Sequence, residues 1–233
     1  MTLLLKTLLA AGLAAATAAA QPQSKLSGPV QIEAKRAELA LIQEQLADPD
    51  PLKRQAAILT IVESGDAMKI DFALRIALAS DDASVRAIAL RAYMANLKEL
   101  DFDIQSPPEI QRQLDAALNS DPDRMQDLFK RYPYLGYLSQ NFHFRLHLRF
   151  KDYSMSRSTG VVTGGGNYPE TFTVSGDRVS ANGSLLWNGP CTFEFQPQSL
   201  VRNSPPVLKG TLMCSQRDNY TIFPRMTITA PLF

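Results

Sequence analysis

One stretch of this chain gathers most of its reactive side chains on a single side. In Asn141–Lys151 (NFHFRLHLRFK), Phe142, Phe144, Leu146, Leu148 and Phe150 alternate with His143, Arg145, His147, Arg149 and Lys151. Strict alternation at period two predicts a half-buried strand, because successive side chains point to opposite faces. The five polar residues then form one basic row that holds both histidines of the protein. Guanidinium groups match carboxylate and phosphate bidentately, and imidazoles gain charge as pH falls below about 6.5. The row His143, Arg145, His147, Arg149 and Lys151 is therefore a candidate site for an anionic ligand, such as an envelope glycan or a lipid headgroup. The competing reading is that the row faces the acidic half of the chain and joins the two halves.

Other chemistries find less support. Four residues along a strand span about 13 Å, so His143 and His147 cannot share a metal held by bonds of roughly 2.0–2.1 Å. Two Cys with two His match no zinc spacing. There is no G-x-S-x-G elbow and no H-E-x-x-H. Gly164-Gly-Gly166 lacks the Lys-Ser/Thr of a phosphate loop and reads as a turn. The sequence assigns no catalytic residue, metal or cofactor. A hydrolase with its site between the halves is kept as a third reading, behind a protein-interaction module and an anion-binding β domain.

The two cysteines, Cys191 and Cys214, carry the remaining chemistry. At period two Cys191 shares a face with Phe193 and Phe195, and Cys214 with Leu208 and Leu212. Both should point into one core, and in an oxidising compartment a disulfide is expected. A closed loop of about 22 residues contributes about 3 kcal/mol in the chain-entropy treatment. Separate buried thiols are the alternative.

The compartment is read from the first twenty residues, MTLLLKTLLAAGLAAATAAA. Lys6 is their only charge, a short Leu/Ala run follows, and Ala18-Ala19-Ala20 supplies the small residues of a cleavage site. Residues 1–20 are expected to be a signal peptide and 21–29 a disordered lead-in, with no transmembrane segment in the mature chain. The expected address is periplasmic or secreted. Hydrophobic residues make up 45% of the chain and the formal net charge is +1, so nothing suggests a nucleic-acid partner. The charge is uneven, however. Gln21–Gln140 carries 14 Lys and Arg against 18 Asp and Glu, whereas Asn141–Phe233 carries 9 against 5.

Residues 30–140 read as helices. Leu39, Ile42 and Leu46 recur at helical spacing until Asp48-Pro-Asp-Pro51, where Asp50 can cap the next helix and Pro51 suits its first turn. Leu52, Ala56, Leu59 and Val62 give that helix its apolar stripe, and Gly65 ends it. Ile70 to Leu78 and Val85 to Leu97 follow, the latter capped from Asp81-Asp82. Phe102–Pro108 reads as a linker before the helices Glu109–Asn119 and Pro122–Lys130. LADPDPLKRQAAIL and LASDDASVRAIAL overlay with Leu46 on Leu78, Arg54 on Arg86 and Ala57 on Ala89, an offset of 32 residues. Fixed periods of this size mark stacked supersecondary units. The pattern resembles the short HEAT-like repeats of the phycobilisome-lyase type over about residues 39–100. That resemblance implies a helical solenoid whose surfaces bind other proteins, and it transfers no catalytic residue.

Residues 141–233 read as strands: Phe142–Tyr153, Arg157–Thr163, Thr171–Val174, Arg178–Trp187, Cys191–Gln196, Val207–Ser215 and Tyr220–Ala230, with turns at Gly176-Asp177 and Asn188-Gly189 among others. The expected fold class is therefore α+β in two segregated domains. These are an N-terminal HEAT-like helical solenoid at 30–140 and a disulfide-pinned antiparallel β-sandwich or small barrel at 141–233. The expected function is that of an exported, non-catalytic interaction or scaffold protein whose partner is another envelope protein.

Overall fold

The structure, a computed structural model, describes residues 28–131, 145–164, 169–183, 190–198, 206–215 and 221–232. His143, Phe142, Phe144, Trp187, the Asn188-Gly189 turn and the leader lie outside the described residues. The chain divides after Arg36 into two compact units. The described part of the first is the exposed opening of helix α1 (Gly28–Leu46), where Glu33 pairs with Arg36.

In the second unit α1 continues and is followed by α2 (Pro51–Glu63), α3 (Ala67–Leu78) and α4 (Ala83–Asn96). Each start follows from a local device. Asp50 accepts the Leu52 amide and Pro51 occupies the first turn of α2. Asp66 accepts the Met68 and Lys69 amides of α3, and Asp82 those of Ser84 and Val85 in α4. These caps satisfy N–H groups that a helix start leaves without intrahelical partners. Ile42, Leu46, Ile58, Ile61, Leu74, Leu78, Val85, Ala89 and Leu90 are buried between the helices. Lys69 pairs with Glu38 and so ties α3 to α1. Helices α5 (Pro108–Leu118) and α6 (Pro122–Arg131) come later, α5 burying Ile110, Leu114 and Ala117. Among the described residues no helix is long and apolar enough to cross a membrane.

Between α4 and α5 the chain does something the sequence reading did not anticipate. Glu99–Gln105, placed there in the helical half and partly in a linker, is a strand, β1. Seven more follow: β2 (Arg145–Ser154), β3 (Thr159–Thr163), β4 (Pro169–Ser175), β5 (Arg178–Gly183), β6 (Cys191–Gln198), β7 (Val207–Ser215) and β8 (Thr221–Pro231). Each pairs antiparallel with its neighbours in chain order, and β1 pairs with both β2 and β8, so the sheet closes into an eight-stranded barrel. The expected fold class is overturned on this point. The halves are not segregated, because a strand from the helical stretch completes the barrel. The strands form one closed sheet, the small barrel of the two expected forms and not a sandwich, and α4 packs on its wall. The reason is physical: without β1, β2 and β8 would each present a row of unpaired backbone groups.

Alternation sorts every strand into an inner and an outer face. Leu100 and Phe102 of β1, Leu146, Leu148 and Phe150 of β2, and Val162 of β3 are buried, as are Phe172, Val174, Val179 and Ala181 of β4 and β5. Phe193, Phe195, Leu208, Leu212, Met226 and Ile228 complete the interior. Eight strands enclose a space that side chains fill. Phe102 sits at its centre, with ring centroids 5.2 Å from Phe193 and 5.1 Å from Phe195. Perpendicular or tilted pairs at such spacing suit the ring quadrupoles. Two glycines permit close approach. A Cβ at Gly160 would overlap the Phe172 ring, and one at Gly210 would meet the backbone of β6 at Glu194 and Phe195. Cys191 and Cys214 are register partners on β6 and β7 and form a disulfide, so the expected pairing is present. The predicted apolar face of β2 is likewise the buried one over its described length.

The helices meet the barrel along α4, which packs on β2 and β4. Arg86 donates through Nε and Nη2 to Asp177 Oδ2, at 2.8 and 2.6 Å, in the turn between β4 and β5. The Phe150 amide donates to the Lys98 carbonyl at 2.7 Å. Beside this seam the Tyr153 ring stacks on Phe172 at 5.6 Å. Burial pushes the Tyr153 hydroxyl's pKa up, an effect opposed by the charge of Arg91.

Phe102→Ala should destabilise the protein by about 3–5 kcal/mol in equilibrium urea denaturation, since it empties the middle of the barrel and weakens the closing strand at once. Asp101→Ala, one residue away on the exposed face, should change stability by less than about 1 kcal/mol.

Candidate functional site

The described part of the basic row lies where the alternation placed it. Arg145, His147, Arg149 and Lys151 all project from the outer face of β2 and are exposed. What the sequence reading missed is their neighbour. The register sets Asp103 opposite Arg145, Asp101 opposite His147 and Glu99 opposite Arg149. His147 Nδ1 lies 2.8 Å from Asp101 Oδ1 and its Nε2 lies 3.8 Å from Glu99 Oε2. Arg145 Nε lies 3.4 Å from Asp103 Oδ1. Directly opposed side chains of unlike charge attract across an antiparallel pair by roughly 0.2–1 kcal/mol each.

Two guanidinium groups and one imidazole of β2 thus stand opposite three carboxylates of β1, which offset the positive charge of the row. A cleft of about 420 Å³ at its edge is lined by Glu99, Leu100, Asp101, Asp103, Arg145 and Pro231. An anion entering it meets three carboxylates around one guanidinium. Lys151, at the far end, sits opposite Val161 of β3 and faces no acid in the register. Of the two roles considered for the row, this geometry resembles the joining one: the acids come from the N-terminal half, although through a strand and not through a solenoid face. The missed strand did carry a signal. Glu99-Leu-Asp-Phe-Asp-Ile-Gln105 alternates at period two with acids on one face, the complement of the basic row.

A second surface lies on the helices. Of the stripe Leu52, Ala56, Leu59 and Val62, expected to be the core side of α2, Val62 packs partly buried against the core, but the first three face outward: Leu52 is 71% and Leu59 39% exposed. Ile58 and Ile61 are buried in its place. The apolar residues of α2 surround more than one side of it, so periodicity could not choose the face that packs. Leu41 and Met68 are also exposed.

The repeat offset has a structural counterpart here. Arg54 of α2 donates from Nη1 back to the Asp48 and Pro49 carbonyls, at 2.6 and 3.3 Å, and from Nη2 to Asp82 Oδ2 at 2.6 Å. Arg86 of α4 repeats the arrangement, with Nη1 donating to the Ser80 and Asp81 carbonyls at 2.8 and 3.0 Å. Its outward partner is Asp177 of the barrel. The Asp82 carboxyl is lowered from 3.8 to about 2, first by the Ser84 hydroxyl and amide, then by the Val85 amide and Arg54, with desolvation opposing.

No family model, curated protein or solved structure matches this chain.

Because the Asp82 pKa is lower in the folded chain, its stabilising contribution is complete above its ordinary value near 3.8 and fades as pH falls toward about 2. Thermal melts between about pH 5 and 2 should therefore show an acid-dependent loss that Asp82→Asn reduces, since asparagine retains the helix cap but does not titrate.

Proposed function

We propose that this is an exported, non-catalytic interaction protein of the bacterial envelope, in which the barrel acts as a rigid base and the outer helices contact another envelope protein. The observation that carries this reading is the outward stripe of α2. Leu52, Ala56 and Leu59 form a continuous apolar line on a helix whose other side is already packed. A monomer gains nothing by presenting such a line to water, and a partner gains its burial. The barrel supports the reading by contrast. Its interior is filled by side chains, and its most charged outer ladder is compensated by its own carboxylates. The disulfide agrees with an oxidising compartment, as do the leader-like first twenty residues, so the periplasm is the proposed address.

A photoreactive residue at position 59 of the full chain in native cells should give a cross-linked adduct of one discrete mass. The same residue at position 213, on the exposed barrel face, should not. Equal labelling at both, or none at 59, would remove the basis for assigning the contact to α2.

A second reading rests on Lys151, the one member of the row among the described residues with no acid opposite. If the β2 face holds an anionic glycan or lipid headgroup, Arg149→Ala with Lys151→Ala should abolish cosedimentation with anionic vesicles, and that binding should weaken as salt rises. If the ladder is structural, the wild-type chain should fail to cosediment at physiological salt, and the double variant should shift stability by no more than about 1 kcal/mol.

A further inference from the structure

The α2 surface has more than exposed apolar area: it carries the acceptor half of a joint that the chain uses twice elsewhere. In the first joint, Arg54 of α2 reaches Asp82, the cap of α4, and Gln55 Nε2 donates to Ser84 Oγ at 2.8 Å. In the second, Arg86 of α4 reaches Asp177, and the barrel turn stands where a further repeat would supply its aspartate. In both, the arginine is braced by the two carbonyls five and six residues before it, so the guanidinium is aimed before any partner arrives.

Stepping back by the 32-residue offset maps Asp82 onto Asp50, Ser84 onto Leu52, Ile88 onto Ala56 and Arg91 onto Leu59. The exposed stripe of α2 is therefore the counterpart of the side of α4 that begins with the Asp82 and Ser84 contacts to α2. Asp50 caps α2 through Oδ1, as Asp82 caps α4. Asp82 also holds an arginine, whereas among the described residues no basic side chain forms an ion pair with Asp50.

We infer that this face binds an amphipathic helix of a partner protein, one that places an arginine on Asp50 and apolar side chains on Leu52, Ala56 and Leu59. This rests on the proposed interaction role and names the chemistry of the partner. The carboxylate fixes the sign of the partner's charge. The braced guanidinium of the two existing joints fixes its type, since a planar fork can hold loop carbonyls and a carboxylate together. The replacement of Ser84 and Arg91 by Leu52 and Leu59 makes the docking side of that helix more apolar than the side of α2 that meets α4.

The chain itself supplies a probe. An isolated α2, residues 48–65, exposes the side that docks on α4, and a staple joining positions 56 and 60 would hold it helical without covering that side. Titrated onto the full-length mature protein, this peptide should bind saturably in fluorescence anisotropy. Asp50→Asn in the protein should weaken binding roughly tenfold while leaving α2 capped. Arg54→Ala in the peptide should cost as much, and the two changes together should cost no more than either alone. Leu59→Asp in the protein should abolish binding.

Failure of the peptide to bind, or binding indifferent to Asp50→Asn, would overturn the inference. So would a self-associating chain that Leu59→Asp converts to monomer in sedimentation, because a second copy would then be the occupant. The broader interaction role is separable: a discrete adduct at position 59 that survives Asp50→Asn keeps that role and discards the arginine joint, whereas absence of any adduct with Asp50 intact removes both.

Discussion

The architecture depends on the pairing of Glu99–Gln105 between β2 and β8. An antiparallel meander of seven strands has two open edges, and each edge is a template for unwanted pairing. Inserting one more strand satisfies both edges, and it does so with a segment far from β8 in the sequence. Closure also places Phe102 against Phe193 and Phe195, so backbone pairing and core packing are gained in the same step. Contacts between such distant segments are slow to form because loop closure precedes any reward. The helices on either side of β1 are local structures, capped by Asp82 at α4 and opened by Pro108 at α5. Those helices therefore deliver the closing strand as a short tether.

The same strand sets the electrostatics of the barrel wall. Inner positions Leu100, Phe102 and Ile104 fit the core, so the charges of β1 have only the outer face to occupy. There they meet the cations of β2, and the register pins the match: a slip by one residue would bury Asp101 and expose Phe102. The ladder is worth little in energy, since exposed ion pairs contribute about 0–1 kcal/mol. Its effect is on specificity, because a shifted register costs both the apolar core and the charge match.

Much of this was legible in the sequence, and the limits of legibility are physical. The starts of α2 and α4 were readable because a cap is local: Asp50-Pro51 and Asp82 announce themselves within a few residues, whereas the Asp66 cap of α3 was passed over for a start at Ile70. The seven later strands and the disulfide partners were readable from alternation, because period two sorts side chains without knowledge of the neighbour. β1 was not read, although it alternates. Asp and Glu are poor strand formers in isolation, and the segment sits among helices. Its strand character comes from β2 and β8, which no local window contains. The open face of α2 was missed for a related reason. Leu52, Ala56 and Leu59 compete with Ile58 and Ile61 as the buried side, and the positions of α3 and α4 decide. The basic row was placed correctly on β2, but its environment is a property of the pairing, not of the row.

The two arginine joints explain why the barrel and the helices form one unit despite being built on different periodicities. A helical repeat stacks by offering the same chemistry at each step, and a terminal repeat is left with an unmatched surface. At the α4 end the unmatched donor is Arg86, and the barrel meets it with an aspartate in a tight turn, where Gly176 adopts a φ of 58°. A turn can present a carboxylate as well as a helix cap can, because the guanidinium reads only the position of the oxygens and not the backbone behind them. The turn between β4 and β5 thus supplies to Arg86 the carboxylate that Asp82 supplies to Arg54. Among the described residues no basic side chain pairs with Asp50, and Leu52, Ala56 and Leu59 beside it are exposed.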